Sequence, residues 1–205
     1  IKRWVGVNEG ESIMDTKQII QCFLQDKKKK KKKMLDGGQI VYIQSIANKI
    51  IEAYQNNKKL IIFGNGGSAS DALHFAAEIV CRFEKNRKAI PAIALTENIS
   101  SITAIGNDFG YDQVFSRQLE AFAQKGDIAI AITTSGNSIN VIKAVEVAKK
   151  IDMFVIGMTG ADGGQLKIMS DMCYCAPSKN TGRIQECHIL LIHIISKIIE
   201  EKLFA

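Results

Sequence analysis

Ile61-Ile62-Phe63-Gly64-Asn65-Gly66-Gly67-Ser68, continued by residues 69–80, is the stretch whose reading decides the fold. A short apolar run meets a glycine-rich turn and then a helical pattern. The run has no polar alternation, which suits a parallel strand covered on both faces. The glycines suit a sharp bend, or the close approach of a ligand to the backbone. Ser68 is the expected helix cap, with Asp71 as its first-turn acid. Free N–H groups at such a helix start attract anions, phosphate above all. One turn further in, His74 and Glu78 stand at i and i+4 on one helix face.

Working outward, residues 15 to about 33 read as a helix. Ile19, Ile20, Phe23 and Leu24 form its apolar stripe, and only this first half is expected to pack, because the second half is lysine. Gly37-Gly38 is read as a break. A second helix over 39–55 places Ile43, Ile46, Ala47, Ile50 and Tyr54 on one face. Beyond the opening unit come strands at 91–95, 127–132, 153–158 and 172–176. Helices are expected at 98–105, 113–124, 139–150, near 166–169, and at 181–203, with a polar loop at 106–110. Strands alternating with helices imply right-handed βαβ units and a parallel sheet. The fold class is therefore α/β: three αβα layers, a five-stranded parallel sheet and extra N-terminal helices. Residues 14–205 form one domain, with helices over 14–57 and the α/β core over 58–205. Residues 1–13 are expected to be an irregular extension, with Met14 as the natural start.

The chain of 205 residues carries a net charge of +6. Residues 27–33 are seven consecutive lysines; without them 20 basic side chains face 21 acidic ones, a net of −1. The basic character is thus one solvated run, an exposed helix end or loop, not a nucleic-acid face. Five scattered cysteines without a CxxC pair suit reduced thiols in a cytoplasmic protein, with Cys173 and Cys175 in a strand core. No apolar run is long enough to span a membrane.

Two further clusters carry chemistry. In Thr133-Thr134-Ser135-Gly136-Asn137-Ser138, hydroxyls gather where a strand ends and a helix begins, the usual ligand position in open α/β sheets. Hydroxyls and free N–H groups there form an uncharged phosphate cradle, and six small polar residues exceed what helix capping requires. The glycine turn is then left to let the rest of a ligand approach the backbone. The last helix offers Arg183, Gln185, Glu186, His188 and His193. Gln185 and His193 are about 80° apart around it, whereas His188 and His193 are about 140° apart, so only one histidine can join Gln185, His74 and Glu78. Spacing does not choose between them. Such a set of nitrogen and oxygen donors suits zinc or a similar divalent ion.

Gly64-Asn65-Gly66-Gly67-Ser68, His74-Phe75-Ala76-Ala77-Glu78, Gly106-Asn107-Asp108, Thr134-Ser135-Gly136-Asn137-Ser138 and Arg183-Ile184-Gln185-Glu186 with His193 occur in this order. Together they resemble the bacterial phosphoheptose isomerases of the sugar-isomerase (SIS) domain family, from about residue 40 to the C-terminus. The resemblance implies a flavodoxin-like SIS fold and a homotetramer with active sites between subunits. It implies conversion of sedoheptulose 7-phosphate to D-glycero-D-manno-heptose 7-phosphate, for lipopolysaccharide or capsule heptose. It implies one zinc per subunit on His74, Glu78, Gln185 and His193, which selects His193 over His188. Substrate would touch Asn65, Gly66, Gly67, Glu78, Asn107, Asp108 and Gln185, with its phosphate on Thr133, Thr134, Ser135 and Ser138. Glu78 would be the base and His193 the acid of an enediol mechanism, and Arg82 would reach a neighbouring subunit's site. Thr133 stands where the family pattern has serine, and the lysine run is not part of that pattern. The alternative is a non-catalytic SIS protein that binds the replication initiator DnaA. That relative lacks the glutamate and the last histidine, present here as Glu78 and His193, which favours the enzyme.

Overall fold

A computed structural model describes residues 15–205; the extension expected over 1–13 lies outside them. Helix α1 (Thr16–Met34) starts on Asp15, whose carboxylate accepts from Gln18 N at 2.8 Å while Gln18 Oε1 accepts from Asp15 N at 3.1 Å. This reciprocal capping box satisfies two otherwise unpaired donors. The lysine run is helical, and Lys31–Lys33 sit in the last turn, where positive charge complements the helix dipole. The packing expected of α1 is reversed: Ile19, Ile20, Phe23 and Leu24 are 53–59% exposed, and Met34 at the other end is buried. Among the described residues Phe23 stacks on Arg183, with the guanidinium 3.6 Å from the ring centroid.

Gly37-Gly38 is not a break. It forms the first turn of α2 (Gly37–Gln55), capped by Asp36, whose Oδ1 accepts from Gly38 N at 3.0 Å. Five strands follow: β1 (Leu60–Gly64), β2 (Ala92–Ala94), β3 (Ile128–Ile132), β4 (Phe154–Thr159) and β5 (Met172–Cys175). All pair in parallel, in the order β2-β1-β3-β4-β5. Helices α3 (Gly67–Val80), α4 (Ile99–Asp108), α5 (Ser116–Phe122), α6 (Ile139–Lys150), α7 (Gly164–Met169) and α8 (Thr181–Leu203) complete the chain. The expected polar loop at 106–110 is largely the last turn of α4. The helix expected over 113–124 is shorter, because a 3-10 turn at Tyr111–Gln113 precedes it.

Strand side chains alternate faces. Leu60, Ile62, Ile128, Ile130, Ile156 and Met158 pack against α2, α3 and α8. Ile61, Phe63, Ala129, Ala131 and Val155 pack on the opposite side with α5, α6 and α7. Three layers result. Cys173 and Cys175 are half-buried on β5, less enclosed than a core strand would make them. Among the described residues no helix is long and apolar enough to cross a membrane.

The strand order matters for the site. From β1 the chain moves one way to β2 and then returns past β1 to β3, so the topology reverses between β1 and β3. Ligands bind at such switch points, outside the carboxyl ends of the strands. Gly64 pairs with Ile132, so the glycine turn and the hydroxyl loop leave adjacent strand ends side by side.

Candidate active site

The glycine turn is built by close approach. A Cβ on Gly64 would lie 2.7 Å from Ile132 O and 2.8 Å from Ser68 Cβ. Gly66 takes φ +56° at the helix N-cap, a left-handed value that glycine adopts without strain. This corrects the expectation for Ser68, which does not cap α3. It is buried inside the first turn, and the cap position belongs to Gly66, with no side-chain bond to the helix start. Asp71 is likewise not an exposed first-turn acid. It is buried, one carboxylate oxygen has no partner among the described residues, and burial pushes its carboxyl up to about 6 against the pull of His74.

Asn65, at the end of β1, exchanges two hydrogen bonds with Asn140 in the first turn of α6. Asn65 Nδ2 donates to Asn140 Oδ1 at 2.8 Å, and Asn140 Nδ2 donates to Asn65 Oδ1 at 2.9 Å. Asn140 Oδ1 also accepts from Val141 N at 2.9 Å. This amide pair welds the two loops together. Asn140 was not among the residues expected from the sequence, where it reads as a first-turn residue of a helix; only the neighbouring strand reveals its partner. Tyr111 Oη donates to Asn65 Oδ1 at 3.1 Å. Asn107 and Asp108 are exposed and pair with each other, Asn107 Nδ2 donating to Asp108 Oδ1 at 2.8 Å. Neither makes a hydrogen bond to the glycine turn among the described bonds.

In the hydroxyl loop, Thr133 Oγ1 and Ser138 Oγ lie 2.8 Å apart, and Ser135 Oγ accepts from Asn137 N at 3.1 Å. Thr133 is buried, Thr134 and Ser138 half-buried and Ser135 exposed. Ser138 holds the N-cap position of α6 without bonding the helix start; Val141 N is taken by Asn140 Oδ1, so the N–H groups of Ile139 and Asn140 are the ones left to face an anion.

Two helices supply the second half of the site. His74 Nε2 and Glu78 Oε1, one turn apart on α3, are 2.9 Å apart. His193 Nε2 from α8 lies 3.4 Å from His74 Nε2, and the two rings meet edge to face. His188 is not there. It is fully buried, with Nε2 3.1 Å from Thr159 O and Nδ1 without a partner among the described residues; burial holds it down to about 4 although the Thr159 carbonyl works the other way. The fold therefore brings His193, and not His188, to His74 and Glu78. Gln185 is two turns back along α8, its carboxamide against Gly67, where an added Cβ would lie 2.6 Å from Gln185 Cδ. It meets the glycine turn and has no bond to His74, Glu78 or His193 among those described. Arg82 is exposed and has no ion pair among the described residues.

The sequence profile of the SIS domain matches residues 26–160. The phosphoheptose isomerase of Helicobacter hepaticus is 51% identical over 160 residues, covering 78% of this chain and 82% of that protein. That of Aneurinibacillus thermoaerophilus is 51% identical over 162 residues, covering 79% and 82%. The chain belongs to the phosphoheptose isomerase family. Solved structures agree: a phosphoheptose isomerase from Francisella tularensis aligns with a TM-score of 0.89 at 35% identity, over 92% of this chain and all of that one. The phosphoheptose isomerase of Neisseria gonorrhoeae aligns with a TM-score of 0.86 at 38% identity, over 91% of this chain.

The donor set of this family member fits a divalent cation. One donor atom each from His74, Glu78 and His193 lies within 4.8 Å of the other two. Tetrahedral zinc with bonds of about 2.0–2.1 Å places neighbouring ligand atoms about 3.3 Å apart. The separation of 3.4 Å between the two imidazole nitrogens matches that edge. Two imidazoles presenting Nε2 to each other beside a carboxylate oxygen cannot all be satisfied by one proton. A shared cation satisfies all three.

Proposed function

We propose that this isomerase converts sedoheptulose 7-phosphate to D-glycero-D-manno-heptose 7-phosphate. The observation that carries the reading is the convergence of Glu78 and His193 on His74, in a chain about half identical to named phosphoheptose isomerases. The phosphate rests on Thr133, Thr134, Ser135 and Ser138 at the start of α6, and the sugar lies along Asn65, Gly66 and Gly67 toward Gln185, Asn107 and Asp108. Hydroxyls and backbone N–H groups hold the phosphate without a cation, so the substrate is oriented without collapsing the charge of the nearby carboxylate.

The reaction moves a carbonyl from C2 to C1. Glu78 removes a proton from C1 while His193 gives one to the C2 oxygen, which forms the enediol. His193 then takes the proton of the C1 hydroxyl as Glu78 returns its proton to C2, and the aldose results. Zinc is the proposed ion, held by His74, Glu78 and His193 with Gln185 as fourth ligand, and it supplies Lewis acidity toward the substrate oxygens when bound. Glu78 has two carboxylate oxygens, so ligation and proton transfer need not compete for one atom.

The apolar stripe of α1 is proposed to be covered by further copies in a homotetramer, because four large apolar side chains more than half exposed on one helix exceed ordinary surface scatter. A cytoplasmic role supplying heptose for lipopolysaccharide or capsule goes with the same reading. The test is turnover of sedoheptulose 7-phosphate by purified protein before and after chelation and zinc repletion. Turnover that zinc restores is expected, and Glu78→Gln and His193→Gln should each lose at least about a hundredfold in kcat, the scale of a general acid–base group. Unimpaired turnover by either variant removes its assigned role.

A further inference from the structure

Phe83 packs beside His193, with ring centroids 5.5 Å apart and planes tilted by 32°. It belongs to residues 81–87, which follow α3 without regular structure. Nothing local explains why this segment holds its shape. The explanation lies at the far end of α8. The Glu200 carboxylate is fully buried and receives four donors. Oε1 accepts from Phe83 N at 2.7 Å and Arg87 Nε at 3.0 Å; Oε2 accepts from Glu84 N at 2.8 Å and Lys85 N at 2.9 Å. Three successive N–H groups wrapped on one anion form a nest. Burial alone would raise this carboxyl, but the nest and Arg87 outweigh it and hold it at about 2.

The same arrangement reaches the reacting groups by a second route. The Arg87 side chain is also buried, and its Nη2 donates to the backbone carbonyl of Glu78 at 2.9 Å. That carbonyl lies in the last turn of α3, where helix carbonyls lack partners within the helix. One carboxylate thus ties down both the aromatic neighbour of His193 and the helix end that carries Glu78. Glu200 lies seven residues beyond His193, about 10 Å along the helix, so it touches neither substrate nor reacting atoms.

We propose that Glu200 is a positioning residue of the isomerase: it folds residues 83–87 so that Phe83 fixes the His193 ring and Arg87 fixes the Glu78 end of α3. This rests on the isomerase reading above, and the experiment separates the two. Glu200→Gln keeps the size of the side chain but cannot accept from all four donors. Phe83→Ala removes the wall while leaving the nest intact. Each variant is compared with the parent protein by melting, by the ring-proton resonances of His193 in metal-free protein, and by kcat and KM for sedoheptulose 7-phosphate. The expected result is a folded Glu200→Gln protein whose His193 resonances move in the direction set by Phe83→Ala. Its kcat should fall at least tenfold, with KM within about threefold, and Phe83→Ala should reproduce the kcat loss with little change in melting. A folded Glu200→Gln protein with unchanged His193 resonances and unchanged kcat overturns the proposal. If Glu200→Gln does not fold, Phe83→Ala decides alone, and an unchanged kcat overturns the proposal. If the parent protein has no turnover, the isomerase reading falls, and the resonances alone decide whether Glu200 sets the His193 ring.

Discussion

Replacing Gly136 by alanine tests whether the hydroxyl loop is a built site. Gly136 has φ +71°. A residue with a Cβ pays about 1–2 kcal/mol in this left-handed region. Space is a second cost. The new Cβ would lie 2.6 Å from the carbonyl carbon of Gly163 and 2.9 Å from Gly164 Cα. Both are backbone atoms and cannot rotate aside, so the loop and the turn before α7 must separate. Overpacking of this kind costs about 1–3 kcal/mol. The total is about 2–5 kcal/mol, and at about 2–4 °C per kcal/mol in a domain of this size melting should fall by roughly 5–20 °C. Separation also strains the bonds that join the two segments, Leu166 N to Gly136 O at 2.9 Å and Gln165 N to Asn137 Oδ1 at 3.0 Å. Thr133, Ser135 and Ser138 would then lose their mutual geometry. The assay is calorimetric melting of Gly136→Ala with and without inorganic phosphate, alongside kcat and KM. KM should rise more than kcat falls, because the His74, Glu78 and His193 cluster stands on other elements, and phosphate should stabilise the variant less than the parent. Gly37→Ala is the control, since nothing lies within 4 Å of its added Cβ. A Gly136→Ala protein with parental melting, KM and phosphate response would refute the reasoning.

Asn140→Ala removes both amide bonds to Asn65 and should cost about 1–3 kcal/mol, the scale for unpairing buried polar groups; urea midpoints measure it, and a midpoint within error of the parent would show that the weld is dispensable. Burial holds His188 at about 4 in the folded chain against an ordinary 6.5. The unfolded chain therefore binds the extra proton first, so this contribution to stability is complete above pH 6.5 and is lost as pH falls toward 4. His188→Phe should flatten the urea midpoint across that window, and an unchanged slope would contradict the assignment. Glu200 is depressed from 4.5 to about 2, so its contribution is present above pH 4.5 and is lost between there and pH 2; Glu200→Gln should lessen the acid sensitivity of melting in that lower window only.

Much of the fold and part of the site were legible locally. Period-2 and period-3.6 patterns report burial over a few residues, which is why the five strands, the αβα layering and most helices fall where the pattern puts them. The His74 and Glu78 pairing follows from one helical turn, and the hydroxyl loop from its composition at a strand end. The misreadings have local causes as well. Gly37-Gly38 looks like a break until Asp36 is seen to cap it, and Ser68 looks like a cap until Gly66 is seen to take the left-handed position. The stripe on α1 shows an apolar face without saying what covers it.

The amino-acid pattern by itself determined the element types, the glycine and hydroxyl turns at two strand ends and the one-turn spacing of His74 and Glu78. Tertiary structure decided the rest, because the deciding contacts join residues far apart in the chain. Asn65 finds Asn140 only because Gly64 and Ile132 share a register. Helical spacing does not separate His193 from His188; the way α8 lies on α3 does, turning one ring to His74 and burying the other under Thr159. Glu200 binds an N–H group 117 residues away. Periodicity cannot carry such information: a strand or helix pattern states which side of an element is buried, and only the packed layers state against what.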